Sequence, residues 1–280
     1  MRCAWDQFVN ILPLWMRNRV DEIGRNSLQE LRLRINSPPE LVFQDKSIFL
    51  KRCVIKEDIQ FCANLATQYS PWASETVSSG FISIPGGHRI GLCGATIPGR
   101  EGKGFRSITS ICIRISRDYI GIAKGADVEG SLLIIGAPGA GKTTFLRDII
   151  RQLSEKDRTR IAVVDERFEI FPCIEDVFCY NIGPRVDILS GCNKSAGIEM
   201  VLRTMTPTVI AVDEITSSAD AEAVLHCVGC GVSLIATAHA AHLEELSARP
   251  VYKKLIKQSV FQTVVILNTN RTWKMERIVA

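Results

Sequence analysis

A glycine-rich loop followed by a lysine and two threonines is the part of this chain whose residue types and spacing most directly imply chemistry. Residues 136–144 read G-A-P-G-A-G-K-T-T. Glycines allow such a loop to turn tightly, so that successive main-chain N–H groups point inward at a bound phosphate. Lys142 adds a positive charge for the β- and γ-phosphates, and Thr143 offers its hydroxyl to Mg²⁺. The pattern predicts that ATP binds with Mg²⁺ at Gly136, Ala137, Pro138, Gly139, Ala140, Gly141, Lys142, Thr143 and Thr144.

The segments on either side of the loop support this interpretation. Leu132 to Ile135 form a short apolar run that is typical of a buried strand. After the loop, apolar residues recur with helical spacing at Phe145, Leu146, Ile149, Ile150 and Leu153. The predicted helix would direct the positive end of its dipole at the phosphates. A glycine-rich turn that matched the motif by chance would not be expected to lie between such a strand and such a helix.

Carboxylates at neighbouring strand ends decide whether such a site hydrolyses its nucleotide or only binds it. The apolar run Val209 to Val212 is followed by Asp213 and Glu214. Asp213 is a candidate to hold the hydration shell of Mg²⁺ opposite Thr143, and Glu214 is a candidate to polarise the attacking water.

A second acidic cluster follows the apolar run Ile161 to Val164. It consists of Asp165 and Glu166, with Arg167 directly after them. These carboxylates are candidates to orient water or metal, although three adjacent charges also suit an ion-paired turn at the surface.

A third polar group contains Thr237 and His239, at the end of the apolar run that starts at Ser233. Ligands of parallel sheets bind at the carboxyl ends of the strands. His239 is therefore a candidate to sense the γ-phosphate by donating a hydrogen bond.

The pattern of apolar residues changes beyond Ser131. From there, short apolar runs alternate with helical segments. Runs that are apolar on both faces mark buried strands of a parallel sheet covered by helices. The predicted fold class is α/β, with a P-loop NTPase core and a parallel-rich sheet in a domain that spans residues 126–280.

Residues 1–125 are predicted to form a small α+β domain that precedes this core. Within Leu28 to Ile35, apolar residues alternate with arginines, which is the pattern of a half-buried strand. The other expected elements are a helix over Lys56 to Tyr69, two strands within Gly80 to Ala95 turned at Pro85 to Gly87, a surface loop at Pro98 to Gly104, a strand over Ser107 to Ser116 and a linker over Gly121 to Gly130.

Composition disfavours some classes of protein. The net charge of +4 over 280 residues is mild and dispersed, which does not favour a nucleic-acid protein. No apolar run approaches the roughly 20 residues that span a bilayer, so we expect a cytosolic chain. The ten cysteines are scattered through a mid-sized chain, which favours reduced thiols. Cys227 and Cys230 form one C-x-x-C pair, for which a helix end is the favoured interpretation over half a zinc site or a redox pair.

Five longer motifs follow one another along the second half of the chain: G-A-P-G-A-G-K-T-T-F-L-R-D, V-V-D-E-R-F-E-I, G-P-R-V-D-I-L-S-G-C, V-I-A-V-D-E-I and L-I-A-T-A-H-A. The N-terminal part contains L-R-L-R-I, P-G-G-H-R-I-G-L-C-G and I-R-I. Together these motifs resemble the stage III sporulation protein AA family of endospore-forming bacteria. The resemblance covers nearly the whole chain. The family itself resembles the type II and type IV secretion and pilus ATPases.

The resemblance implies a RecA-like motor domain behind an N-terminal domain, assembled into a hexameric ring. By it, Asp165 to Glu169 correspond to the acidic "Asp box", Asp213 and Glu214 to Walker B, and Thr237 to His239 to the "His box". This chain has Asp213 where secretion ATPases usually have glycine, and Asp165 where their Asp box usually starts with glutamate. The catalytic base therefore stays open between Glu214 and the Asp165/Glu166 pair.

The resemblance also assigns arginines to the site. Secretion ATPases carry phosphate-facing arginines at positions that correspond to Arg89 and Arg114, and a neighbouring subunit would supply them. Without the resemblance, both would be interpreted as exposed charges on alternating strands.

The function implied is a cytoplasmic ATPase on the mother-cell side, peripheral at the membrane, that drives a secretion-like channel through docking proteins. Two other classes remain open: an AAA-type or RecA-like motor on DNA, and a non-catalytic nucleotide switch. The chain lacks a basic cluster or an aromatic platform for nucleic acid, so no direct nucleic-acid partner is expected.

Overall fold

The computed structural model describes residues 3–68, 80–84, 86–97, 104–174 and 177–278. Tyr69, Pro85 and most of the loop expected at Pro98 to Gly104 lie outside these residues. The chain divides into two units. An N-terminal unit comprises Met1–Asp118 and Cys173–Tyr180, and a nucleotide unit comprises Tyr119–Pro172 and Asn181–Ala280.

Strands outnumber helices among the described residues, and several strands follow one another without an intervening helix. The strands are β1 (Glu30–Arg34), β2 (Glu40–Val42), β3 (Ser47–Phe49), β4 (Phe81–Ile84), β5 (His88–Thr96), β6 (Phe105–Arg114), β7 (Leu132–Gly136), β8 (Ile161–Asp165), β9 (Cys173–Ile174), β10 (Val177–Phe178), β11 (Val186–Ser190), β12 (Val209–Val212), β13 (Ser233–His239), β14 (Thr263–Leu267) and β15 (Trp273–Arg277). The helices are α1 (Trp5–Asn10), α2 (Leu14–Gly24), α3 (Lys56–Gln68), α4 (Lys142–Ser154), α5 (Lys194–Thr204), α6 (Ser218–Gly229), α7 (Leu243–Ser247) and α8 (Pro250–Lys257). No helix in these described ranges is both long and apolar enough to cross a bilayer.

The N-terminal unit contains an antiparallel sheet in the order β3-β2-β1-β6-β5-β4. The alternation predicted around β1 is confirmed, because Leu31 and Leu33 are buried while Glu30, Arg32 and Arg34 are partly exposed. These side chains join a core with Phe8 and Met16 of the first two helices. One face of the sheet therefore packs on helices, and the arginines of the other face do not enter that core.

The nucleotide unit contains a mixed sheet in the order β11-β8-β12-β13-β7-β14-β15. All its neighbouring strands are parallel except β14 and β15, which pair antiparallel. Every residue of β7 and β8 is buried, as expected for strands covered on both faces. The parallel sheet predicted from the apolar runs is confirmed, and the strands β11, β14 and β15 extend it at both edges.

A buried ion pair holds the segments where the chain enters the nucleotide unit. The Asp148 carboxylate accepts hydrogen bonds from Gly121 N and Ala123 N at 2.9 and 2.8 Å, and Arg151 Nη2 lies 3.0 Å from it. Arg151 also donates to the carbonyl oxygens of Tyr119 and Asn181. Burial alone would raise the pKa of Asp148, but the two N–H groups and the guanidinium lower it. Both entry segments are thus attached to α4, the helix that starts at Lys142.

His88 occupies an equally buried place in the N-terminal unit. Its ring is 0% exposed, and its Nδ1 accepts a hydrogen bond of 3.0 Å from Ser116 N. The ring proton must then be on Nε2, which donates to Ala4 O at 3.0 Å. Burial and the nearby Arg117 lower the pKa of His88, although the bond to Ala4 opposes them. The fold therefore needs the neutral imidazole.

We predict that this unit loses stability as the pH falls below about 6.5, the ordinary pKa of histidine. The unfolded chain binds a proton in that range while the folded His88 does not, so protonation favours unfolding with a slope of up to about 1.4 kcal/mol per pH unit. Urea denaturation between pH 5 and 8 measures the slope. His88→Gln should reduce it, whereas His242→Gln, at an exposed histidine, should leave it unchanged; an equal slope in both variants would contradict the prediction.

Candidate functional site

The glycine-rich loop connects β7 to α4, and two of its glycines have a left-handed backbone conformation. Gly139 and Gly141 have φ values of 77° and 95°, which residues with a side chain rarely adopt. Gly141 is the N-cap of α4, and no described side chain caps that helix. The first N–H groups of α4 are therefore left to a ligand, and the positive end of the helix favours a phosphate there.

Lys142 is buried beneath this loop, with 7% of its surface exposed. Its ammonium donates to Gly136 O at 2.9 Å and to Ala137 O at 3.0 Å. A third contact, of 2.7 Å, joins its Nζ to Nδ1 of His239. Burial lowers the pKa of Lys142, and the carboxylates of Glu214 and Asp213 oppose this shift. The ammonium is thus held at the loop by oxygen and nitrogen acceptors.

His239 links that ammonium to Glu214. Because Nδ1 faces the Lys142 ammonium, it acts as an acceptor, and the ring proton is on Nε2. Nε2 lies 3.3 Å from Oε2 of Glu214, and the main-chain N of His239 lies 3.4 Å from Oε1. Lys142 at the start of α4, His239 at the end of β13 and Glu214 after β12 thereby form one line of contacts.

Asp213 lies beside this line. Its Oδ1 accepts a hydrogen bond of 2.8 Å from the hydroxyl of Thr237. Asp213 and Thr143 both line the cavity above the loop. The described residues contain no group of three or more histidine, cysteine or acidic side chains that would hold a metal by themselves. A Mg²⁺ held by one or two side chains together with phosphates and water fits this donor set.

The acidic pair at the end of β8 is divided between two environments. Asp165 is 1% exposed, and its carboxylate accepts three hydrogen bonds of 2.8 to 2.9 Å from the main-chain N–H groups of Glu169, Ile170 and Phe171. Burial raises the pKa of Asp165, opposed by these three bonds. Glu166 is partly exposed and lies 3.5 Å from Nζ of Lys194. Asp165 therefore shapes its own turn, and Glu166 faces the cavity.

These groups surround one cavity of about 460 Å³. Its lining comes entirely from the nucleotide unit: Gly139, Gly141, Lys142, Thr143, Thr144, Asp165, Glu166, Arg167, Glu169, Lys194, Asp213, Glu214, Thr216, Thr237 and His239. The three strand ends singled out in the sequence thus meet at the glycine-rich loop.

Two of these lining residues, Lys194 and Thr216, lie outside the motifs, and Lys194 is the charged one. It is the first residue of α5 and follows β11, a strand whose exposed and partly exposed residues have no continuous apolar run. The available signal is its position after a strand end, in the stretch S-G-C-N-K.

Arg89 and Arg114 belong to the N-terminal unit. They are direct cross-strand partners on β5 and β6. The Arg89 guanidinium carbon lies 3.8 Å from the centre of the Phe81 ring, and Arg114 Nε lies 3.6 Å from Oε1 of Glu30. Both arginines are exposed. The two side chains therefore lie next to each other on one face of that sheet.

The C-x-x-C pair lies at the end of α6. Cys227 is buried and Cys230 is exposed, and both are free thiols. Burial raises the pKa of Cys227 to about 12. A thiol of that kind is a poor nucleophile.

The fold and the loop define a P-loop protein of the RecA-like class. Two solved structures are similar to the chain throughout. The ATPase DotB of Legionella pneumophila is 15% identical with a TM-score of 0.55, over 95% of this chain and 80% of that one. The pilus retraction motor PilT, solved with bound ADP, is 16% identical with a TM-score of 0.61, over 89% and 76%. At such identities the likeness establishes the fold.

Sequence comparison gives the family. The model of the family "Sporulation stage III, protein AA" matches residues 4–277. The stage III sporulation protein AA of Bacillus subtilis (strain 168) is 35% identical over 278 residues, which cover 94% of this chain and 91% of that protein. The chain belongs to the sporulation stage III protein AA family, so the resemblance seen in the motifs is confirmed.

We predict that Lys142→Ala weakens ATP binding by at least about 100-fold, because the phosphates lose the charged donor at the centre of the loop. Titration with a fluorescent ATP analogue measures the affinity, and circular dichroism checks the fold. Lys253→Ala, at an exposed lysine of α8, is the matched control. Wild-type affinity in a folded Lys142→Ala protein would contradict the assignment of the site.

Proposed function

We propose that this chain hydrolyses ATP to ADP and phosphate, and that this reaction powers a secretion-like channel during sporulation. The observation that carries the proposal is the contact line from Lys142 through His239 to Glu214 in the cavity above the loop. It joins the cation expected at the γ-phosphate to a carboxylate that can accept a proton. Nucleotide binding alone would need only the loop, whereas hydrolysis also needs such a carboxylate.

Glu214 is the base in this proposal. The oxygen of a water molecule bonds to the γ-phosphorus, the bond to the bridging oxygen breaks with its electron pair left on ADP, and the water proton passes to Glu214. Asp165 is a weaker candidate, because three main-chain N–H groups already occupy its carboxylate. Glu166 faces an ammonium instead of the histidine.

The remaining lining residues bind and orient. Thr143 and Asp213 would hold Mg²⁺, with Thr144 next to Thr143 in the first turn of α4. Bound together with ATP, Mg²⁺ would supply positive charge that offsets the charge of the β- and γ-phosphates. His239 is the γ-phosphate sensor, since its ring contacts both the Lys142 ammonium and Glu214. A phosphate that attracts the Lys142 ammonium would thereby also change the group that contacts Nδ1 of His239.

We expect Glu214→Gln to bind ATP with wild-type affinity and to hydrolyse it about 10²- to 10⁴-fold more slowly, because the amide keeps the shape but accepts no proton. Mg²⁺-dependent phosphate release measures turnover. Asp165→Asn and Glu166→Gln, tested in parallel, are the comparison. A nearly normal Glu214→Gln protein, together with an inactive variant of either Asp165 or Glu166, would move the base to the strand end of β8.

We further propose that the active form is a homo-oligomeric ring, hexameric by resemblance, docked at the membrane on the mother-cell side by proteins of the sporulation apparatus. In a ring, Arg89 and Arg114 of one subunit would reach the phosphates bound by the next. Their adjacency on β5 and β6 supports this proposal, because one surface would deliver two guanidinium groups together. An arginine supplied from outside a P-loop site contributes about 10³- to 10⁵-fold in rate.

A ring with shared sites predicts how mixtures of two inactive variants behave. Specific activity should rise with protein concentration, and Lys142→Ala mixed with Arg89→Ala or Arg114→Ala should recover activity that neither variant has alone. Recovery is expected because the first variant lends its arginines to the intact loop of the second. Steady-state phosphate release measures both effects. Activity that is independent of concentration, with no recovery on mixing, would mean that each chain works alone.

A further inference from the structure

Lys194 is placed where a lysine costs stability. Its side chain is 6% exposed, and an ammonium removed from water needs compensating partners. It is also the first residue of α5, whose N-cap is Asn193. The start of a helix carries a partial positive charge, so a cation there is repelled. Residues that break a local rule in this way are expected at functional sites.

The partners of Lys194 lie at two different strand ends. Its Nζ donates to the main-chain carbonyl oxygen of Glu214 at 2.6 Å and lies 3.5 Å from Oε2 of Glu166. Glu166 follows β8 and Glu214 follows β12, and these two strands are neighbours in the sheet. One ammonium therefore joins the two loops that carry the acidic residues of the cavity.

The two glutamates contact Lys194 through different groups. Lys194 pairs with the carboxylate of Glu166, whereas it holds Glu214 only by the main chain. The carboxylate of Glu214 is thereby left to His239, whose Nε2 faces it. Fixing the main chain of a residue fixes the starting point of its side chain, and a displacement of about 1 Å can cost about 10²-fold in rate.

We infer that Lys194 is a positioning residue for hydrolysis: its ammonium fastens the main chain of Glu214 to Glu166 and so holds the Glu214 carboxylate in line with His239. The inference rests on the proposed function, in which Glu214 is the base. It differs from a role as a phosphate ligand, because a ligand contributes to nucleotide affinity, while a positioning residue contributes to turnover.

Lys194→Met tests the inference, since methionine keeps much of the length without the charge. We expect kcat to fall about 10- to 100-fold, while the affinity for ATP and ADP stays within about threefold of wild type. Lys194→Arg, which keeps a charged donor, should recover part of kcat. Lys253→Met, the same substitution at an exposed lysine, is the matched control and should behave as wild type.

The decisive measurement is the double variant with Glu214→Gln. If Lys194 acts through Glu214, its removal should lower kcat no further once the carboxylate is gone. A further loss that multiplies the two single effects would overturn the inference, and so would a fall in ATP affinity with kcat unchanged. Should Lys194→Met not fold, Glu166→Gln removes the other end of the same link, and it should lower kcat severalfold without additivity with Glu214→Gln; unchanged kcat there would overturn the inference too.

Failure of this inference is distinct from failure of the proposed function. Normal turnover by Lys194→Met, in a protein whose Glu214→Gln variant is slow, would overturn the positioning role alone. A wild-type chain that binds ATP without hydrolysing it would overturn both.

Discussion

The buried ammonium of Lys142 is the constraint on which the site depends. A charged group that is only 7% exposed must be surrounded by acceptors, and here these are two loop carbonyls and the Nδ1 of His239. The histidine is then fixed in one tautomer, and its other nitrogen turns to Glu214. The requirements of one cation thereby order the loop, the end of β13 and the end of β12.

The parallel sheet makes these contacts possible. Val164 and Val212 are register partners on β8 and β12, so the acidic residues that follow them emerge side by side. On the other side, His239 is the partner of Gly136, where the glycine-rich loop begins. Parallel strands present their carboxyl ends at one edge, and helices cover both faces. Residues that are far apart in the chain therefore share one cavity.

Similar acidic residues receive different roles from their partners. Asp165 is enclosed by three main-chain N–H groups and stabilises its turn. Glu166 pairs with the Lys194 ammonium, and Glu214 faces an imidazole. Only the last arrangement leaves a carboxylate beside a group that contacts the loop lysine. The buried pair of Asp148 and Arg151 shows the same dependence on partners, since it serves to attach the entry segments to α4.

The sequence by itself determined the glycine-rich loop, the α/β class and the buried strands β7, β8, β12 and β13, because these depend on local spacing and on continuous apolar runs. It also determined which acidic groups follow those strands. Only the tertiary structure decided the partners of these groups, such as Lys194, which joins Glu166 to the main chain of Glu214. It also decided that Cys173–Tyr180 belongs to the N-terminal unit. Such contacts join residues that are far apart in sequence, so local sequence patterns do not encode them. The physical reason is that a side chain's role at this site depends on the charges and donors that surround it, and folding alone brings those together.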